Sequence, residues 1–378
     1  MRVLLTTDTI GGVWTYTKEL TEGLLQRSHT VALVSFGRLP SPEQTAWCSA
    51  MSGLYGPEFR YIASEVPLEW MEGNDRAYAG GADLLLKLLD SFRAELLHTN
   101  QFCFGRLPTP IPKLVVAHSD VLSWAAACRP QGLDPSPWLN QYRSLVQTGL
   151  AGANAVVAPT HWMLQALGER FTLPAEASVI SNGRDLPLPP QPARQRLQAV
   201  TIGRLWDEAK GLSLLAEVQA PLPIFVAGED QHGSSSAPQS LGQAMPLGRL
   251  TEESLFELLR SSAIYLALSA YEPFGLAPLE AALCGCAVIA RDIPSLREVW
   301  GQAALYFHDA QALNRLLAQL ACDPKLLRTF QRRAMRCAGL MSRAHLTELY
   351  LELYRRLLEA VSPSAPAPLA AEVLSRVQ

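Results

Sequence analysis

Short apolar runs alternate with longer amphipathic stretches along most of the chain. This is the pattern of strands buried on both faces and covered by helices. Val3 to Thr7 predicts a first strand, and Val13 to Arg27 the helix that follows it. Further strands are predicted at Val31 to Phe36, Leu96 to Thr99, Leu114 to Ala117 and Ala155 to Ala158, the last bracketed by Gly152 and Pro159. Residues 37 to 80, rich in Gly, Pro and Trp, show no clear period, and a strand with pocket-shaping loops is expected there.

A second series begins near Ala199, with strands predicted at Val200 to Gly203, Ile224 to Ala227, Ile264 to Leu268, Ala287 to Ala290 and Ala304 to Phe307. Between the series lies Asp185-Leu-Pro-Leu-Pro-Pro-Gln-Pro, whose prolines can continue neither a helix nor a central strand. The expected division is therefore two α/β domains, 1–184 and 185–340. A terminal helix at 341–360 and a loosely held Pro-Ser-Ala-Pro tail at 361–378 follow. Leu346, Leu349, Tyr350, Leu353, Tyr354, Leu357 and Leu358 recur at spacings of three and four and give that helix one apolar face. Gly233-Ser-Ser-Ser-Ala-Pro reads as a mobile loop. Two doubly wound halves joined by such a linker imply a cleft where strand C-termini and helix N-termini converge.

Composition narrows the class. A length of 378 residues exceeds what one core usually serves, and 48% hydrophobic with 18% charged residues excludes a disordered chain. The net charge of −3 offers no basic surplus for nucleic acid or anionic lipid, although a local basic patch is compatible with it. Seven cysteines, odd in number and scattered, form neither a disulfide ladder nor zinc spacing, so reduced and mostly buried thiols are expected. The opening apolar run is too short for a signal peptide, and no segment approaches the roughly 20 apolar residues of a membrane span. A cytoplasmic protein is the expectation.

Four clusters carry candidate chemistry. Asp8-Thr9-Ile10-Gly11-Gly12 joins strand to helix without the third glycine of the dinucleotide fingerprint. It reads either as an ordinary tight turn or as a place where helix-terminal amides approach a phosphate or sugar. His118 follows the strand Leu114 to Ala117, and His98, beside Asn100, ends the one before; both would lie on lips of the crevice unless they are structural. Gly203-Arg204 and Lys210-Gly211 set two cations six positions apart across a loop otherwise acidic at Asp207 and Glu208. They are either solvated surface groups or partners for a diphosphate. The fourth cluster, Glu272-Pro-Phe-Gly-Leu-Ala-Pro-Leu-Glu280, places one carboxylate in a loop and the second about a turn inside a helix. That separation exceeds the ~5–10 Å of a glycosidase pair. A long ligand gripped at each end fits better, with the backbone of Phe274, Gly275 and Leu276 at its middle.

In this order the clusters resemble the retaining glycosyltransferases of family 4, over nearly the whole chain. The Glu-x7-Glu spacing is the most specific element, supported by Asn182-Gly183-Arg184-Asp185 and the strand after Gly285. The resemblance implies a GT-B fold: two Rossmann-like doubly wound domains facing across a cleft, with the helix from Leu346 crossing back to the first. It implies a nucleotide-sugar donor, UDP-sugar before GDP-sugar, and front-face transfer to a hydroxyl acceptor. Gly11 and Gly12 would lie by the donor phosphate, Arg204 and Lys210 would neutralise the diphosphate, and Glu272 would hold sugar hydroxyls. Glu280 would take the ribose, His118 the sugar near the reaction centre, and backbone at Gly248, Arg249 and Leu250 the base. His98, Asn100 and Trp124 are the acceptor-side candidates. With no Asp-x-Asp and no His/Cys metal spacing, neither metal nor cofactor is expected. A silent nucleotide-sugar-binding relative, an epimerase or a phosphorylase is the alternative.

The chain departs from the family pattern in three places. Gly228-Glu229-Asp230 stands for Gly-x-Gly, and Asn-Gly-Arg-Asp for Asn-Gly-Val-Asp. Ser342-Arg343-Ala344 replaces an aromatic at the start of the crossing helix.

Overall fold

The computed structural model describes residues 1–71, 73–187, 195–229 and 240–361. The proline run beyond Pro187, Asp230, the Gly233 loop and the tail from Ser362 lie outside them.

Two all-parallel sheets carry the fold. The first is formed by β1 (Arg2–Asp8), β2 (Thr30–Phe36), β3 (Phe59–Ala63), β4 (Leu96–Thr99), β5 (Lys113–Val116), β6 (Ala155–Ala158) and β7 (Glu176–Val179), in the order β3-β2-β1-β4-β5-β6-β7. The second is formed by β8 (Arg196–Ile202), β9 (Ile224–Ala227), β10 (Met245–Gly248), β11 (Ser262–Ala267), β12 (Ala287–Arg291) and β13 (Leu305–Phe307), in the order β10-β9-β8-β11-β12-β13. Both follow the doubly wound rule, with the strand order reversing between β1 and β4 and between β8 and β11.

Side chains alternate strictly along the strands. Val3 and Leu5 of β1 pack with Val31 and Leu33 against Tyr16, Leu20 and Leu24 of the helix Gly12–Gln26. Leu4, Ala32 and Val34 turn to the other face, against Leu85, Leu88 and Leu89 of the helix Ala77–Phe92. Because both faces are covered, the strands read as continuous apolar runs. The terminal helix, Arg343–Val361, buries Leu346, Tyr350, Leu353, Tyr354 and Leu357 in the core of the first sheet, so it crosses back as expected.

Residues 37–80 contain the expected strand, β3, but more helix than expected. They hold the helix Pro42–Tyr55 before β3. Ser41 caps it by accepting from the Gln44 amide while the Gln44 side chain accepts from the Ser41 amide, with proline at the first turn. The Ser-x-x-Gln signal was present in the sequence. The edge strand β7 was also unforeseen, because Glu176–Val179 is only half buried and lacks an apolar run. All seven cysteines are free, but only Cys48, Cys103 and Cys286 are buried, fewer than expected. No helix among the described residues is long and apolar enough to cross a membrane.

Candidate active site

The two switch points face each other. From the first sheet come the turn after β1 and the end of β4; from the second come the loop after β8 and the segment after β11. Gly12 lies close enough to the second half that a Cβ there would sit 3.5 Å from Leu276 Cδ1. The glycine turn and the start of the Glu280 helix are therefore opposite lips of one cleft. Asp8 shapes that turn, its Oδ1 accepting the Ile10 amide at 2.9 Å, and Gly11 takes the positive φ of 70° that starts the helix. Burial pushes the Asp8 carboxyl up to about 7, against the lowering pull of Arg204.

The cation loop is held by glycine packing. Gly211 has φ +62°, and a Cβ on it would come within 2.4 Å of the Leu268 carbonyl, so only glycine lets this turn lie on the end of β11. The Ala270 amide donates to Ala209 O at 2.8 Å beside it. The result places Lys210 Nζ 2.8 Å from Glu272 Oε2, which also accepts from Ser269 Oγ at 3.0 Å. Arg204 pairs with Asp207 and lies over the Trp206 ring.

Gly275, at φ +93°, caps the helix Leu276–Leu283, where a Cβ would strike Pro278 Cγ at 2.8 Å. First-turn amides of such a helix have no intrahelical acceptor and can receive an anion. Phe274 sends its ring into the core, leaving its backbone at the turn. Glu280 is buried, and no donor among the described residues aims a hydrogen at its carboxylate; its partner is Arg184, whose Nε lies 2.7 Å from Oε1. Gly248, at φ +66°, ends the edge strand β10, with Arg249 exposed and Leu250 half-buried.

The two histidines part company. His118 is half-buried at the cleft, its Nε2 2.9 Å from Asn100 Oδ1. Asn100 spends its Nδ2 hydrogens on Thr6 O and Thr17 Oγ1, so the His118 Nε2 must donate, leaving Nδ1 as an open acceptor. Burial pushes this imidazole down to about 3, hence neutral at pH 7. His98 does not reach the crevice, correcting its acceptor-side assignment: it is 0% exposed, bonded at Nε2 to Tyr16 Oη (3.1 Å) and at Nδ1 to Tyr354 Oη (2.6 Å). Both ring nitrogens are occupied in the core beneath the crossing helix. Asn100 is likewise consumed in orienting His118. Trp124, half-buried on the helix Val121–Cys128, lies under Arg129. That side chain borders a polar cavity of about 500 Å³ between the 128–134 loop and Glu208.

Three residues were missed as site members. Tyr271 reaches across the cleft, its hydroxyl 3.0 Å from Ser119 Oγ and 2.9 Å from Ser123 Oγ, while Thr160 Oγ1 donates to Pro273 O at 2.9 Å. The signal was adjacency to Glu272. Arg184 was visible only as an oddity in the linker.

Two doubly wound sheets whose switch points meet across one cleft, with a returning terminal helix, define a GT-B protein. Family models match in tandem: "Glycosyltransferase Family 4" over residues 10–187 and "Glycosyl transferases group 1" over residues 194–336. The chain belongs to the family-4 glycosyltransferases. Among curated relatives, the serotype-specific mannosyltransferase WbdA of Escherichia coli is 29% identical over 44% of this chain, a stretch that makes up only 22% of the relative's own length. Alpha-maltose-1-phosphate synthase of Mycolicibacterium smegmatis is 27% identical over 65% of the chain and 73% of its own. Of the solved structures, sucrose-phosphate synthase from Thermosynechococcus elongatus superposes with a TM-score of 0.77 at 19% identity, covering 95% of this chain and 100% of that one. Anabaena HepE, in complex with UDP and glucose, gives 0.70 at 15% identity, with 94% and 100% covered.

Proposed function

We propose that the chain is a retaining hexosyltransferase that moves a sugar from a nucleotide diphosphate, UDP-sugar first and GDP-sugar second, to a hydroxyl acceptor. The observation that carries this reading is the meeting of Gly12, Lys210–Glu272 and the Glu280 helix terminus at one crevice. The diphosphate lies on the Gly11-Gly12 turn and the amides of Phe274, Gly275 and Leu276. Lys210 and Arg204 take its growing charge as the glycosidic bond breaks. Glu272 Oε1, free of the Lys210 and Ser269 contacts, accepts from sugar hydroxyls, and Glu280 accepts from the ribose. The base rests against backbone at Gly248, Arg249 and Leu250.

Neutral His118 presents Nδ1 to a sugar hydroxyl beside the anomeric carbon. It serves as a hydrogen-bond acceptor, because a ring held near pKa 3 is a poor general base at pH 7. The acceptor hydroxyl attacks from the face the diphosphate leaves, and a departing phosphate oxygen takes its proton. The acceptor enters beside Trp124 and the polar cavity at Arg129 and Glu208. Two fixed cations at the leaving group support turnover without a divalent metal.

A thermal-shift panel of UDP, GDP, ADP and their sugar conjugates tests the reading. Ligand at 100 times its dissociation constant adds about 2.7 kcal/mol of stability. One winning base supports the donor cleft, and no shift with any of them overturns it. Product anomeric configuration by NMR tests retention, and loss of turnover on chelation would contradict metal independence.

A further inference from the structure

Arg184 sits where the chain crosses between domains. A Cβ on Gly183 would meet Ser342 O at 2.3 Å, and the Arg184 amide donates to Met341 O at 2.9 Å, so the outgoing and returning crossings run in contact. The guanidinium is only 4% exposed and meets three carboxylates from three helices. They are Glu280 at 2.7 Å, Glu19 of the helix after the Gly-Gly turn at 3.4 Å, and Glu252 of the helix Glu252–Ser261. Phe256 lies under it, with the ring centroid 5.4 Å away. Glu19 and Glu252 have further cations, Arg343 at 2.6 Å and Lys18 at 3.3 Å. Glu280 has Arg184 alone as an ion-pair partner among the described residues. A buried carboxylate without a counter-charge neutralises itself, and a protonated Glu280 would lose an acceptor that a pair of ribose hydroxyls requires.

We propose that Arg184 is a positioning residue for the donor ribose: it keeps Glu280 ionised and aimed, acting on the nucleotide through that carboxylate without touching it. The Nε–H of Arg184 is not directed along the line to Glu280, so the contact supplies charge and leaves the oxygens' lone pairs for ligand hydroxyls. Because the same guanidinium holds Glu19, the ribose grip is also tied to the opposite lip of the cleft. This inference rests on the assignment of Glu280 to the ribose.

The test compares binding of UDP with that of 2′,3′-dideoxyuridine diphosphate by calorimetry, with the guanosine pair run in parallel. The readout is the ratio of the two dissociation constants, which a purely structural role would not move. Wild type should favour the ribose form by about tenfold or more, the worth of one to two good hydrogen bonds. Arg184→Met should bring the ratio near one by weakening the ribose form alone, Glu280→Gln should do the same, and the double variant should match either single one. Arg184→Lys, which keeps the charge and spares folding if the methionine variant does not, should fall in between. A normal ratio in Arg184→Met or Arg184→Lys alongside a collapsed one in Glu280→Gln overturns the inference and leaves the donor site standing. A normal ratio in Glu280→Gln overturns the ribose assignment and the inference with it, as does failure of wild type to bind either diphosphate.

Discussion

Glu272 and Glu280 are eight positions apart on one loop-and-helix unit, and their surroundings differ in kind. Glu272 is arranged locally: Lys210 and Ser269, both of the second half, hold one oxygen, and a fifth of the side chain meets solvent. Glu280 is sealed in and balanced by a guanidinium from the interdomain crossing, so burial raises its pKa while Arg184 pulls it down. One carboxylate is set by the fold of a single sheet, and the other depends on both halves being assembled. On the proposed assignment of Glu272 to the sugar and Glu280 to the ribose, such a site keeps its sugar-side geometry while its nucleotide side responds to the hinge.

The sharpest way to break this contrast is Lys210→Ala. It removes the proposed leaving-group cation and the ion-pair partner of Glu272, and turnover should fall by about 10²–10³-fold with folding retained. Normal steady-state rates would remove both residues from the site. Glu280→Gln should act on affinity, weakening nucleotide binding by about tenfold with a much smaller change in turnover at saturation. A loss confined to turnover would place Glu280 at the reacting sugar instead.

A second comparison sets His118 against His98. His98→Leu should cost about 1–3 kcal/mol by denaturant titration, because the Tyr16 and Tyr354 hydroxyls lose their buried partner. Turnover of the folded variant should stay within a few-fold of wild type. His118→Ala should show the reverse pattern, and equal effects at the two positions would erase the distinction.

A pH-dependent effect, on stability and not on turnover, concerns Asp8. Its folded pKa, about 7, lies above the ordinary 3.8, so the folded state binds the proton more tightly than the unfolded one. Stability from this group is complete below pH 3.8 and is lost as pH rises toward 7. Asp8→Asn, which retains an oxygen for the Ile10 amide, should therefore melt higher than wild type at pH 8 and converge with it near pH 4. A gap independent of pH would mean that Asp8 is not held protonated.

The alternation of apolar runs was enough to place most strands. β4, β6 and β9 agree residue for residue with the predicted runs, because strands covered on both faces are predominantly apolar. The Gly-Gly turn, the two cations and the two glutamates were legible for a related reason, since each follows a strand end. In a doubly wound sheet, chain position after a strand dictates position at the cleft. Half-buried or edge elements such as β7, and a helix signalled by its cap more than by its period, escaped that logic.

The sequence by itself determined the fold class, the location of the cleft and the residue types that could meet a diphosphate, because these follow from local period and strand order. Only the tertiary structure decided which of two equivalent-looking histidines faces the cleft, that Tyr271 bridges it and that Arg184 balances Glu280. Those outcomes turn on which side chains from distant segments share one dehydrated space. No spacing along the chain encodes that, because the partners are brought together by packing of the crossing helix and the hinge.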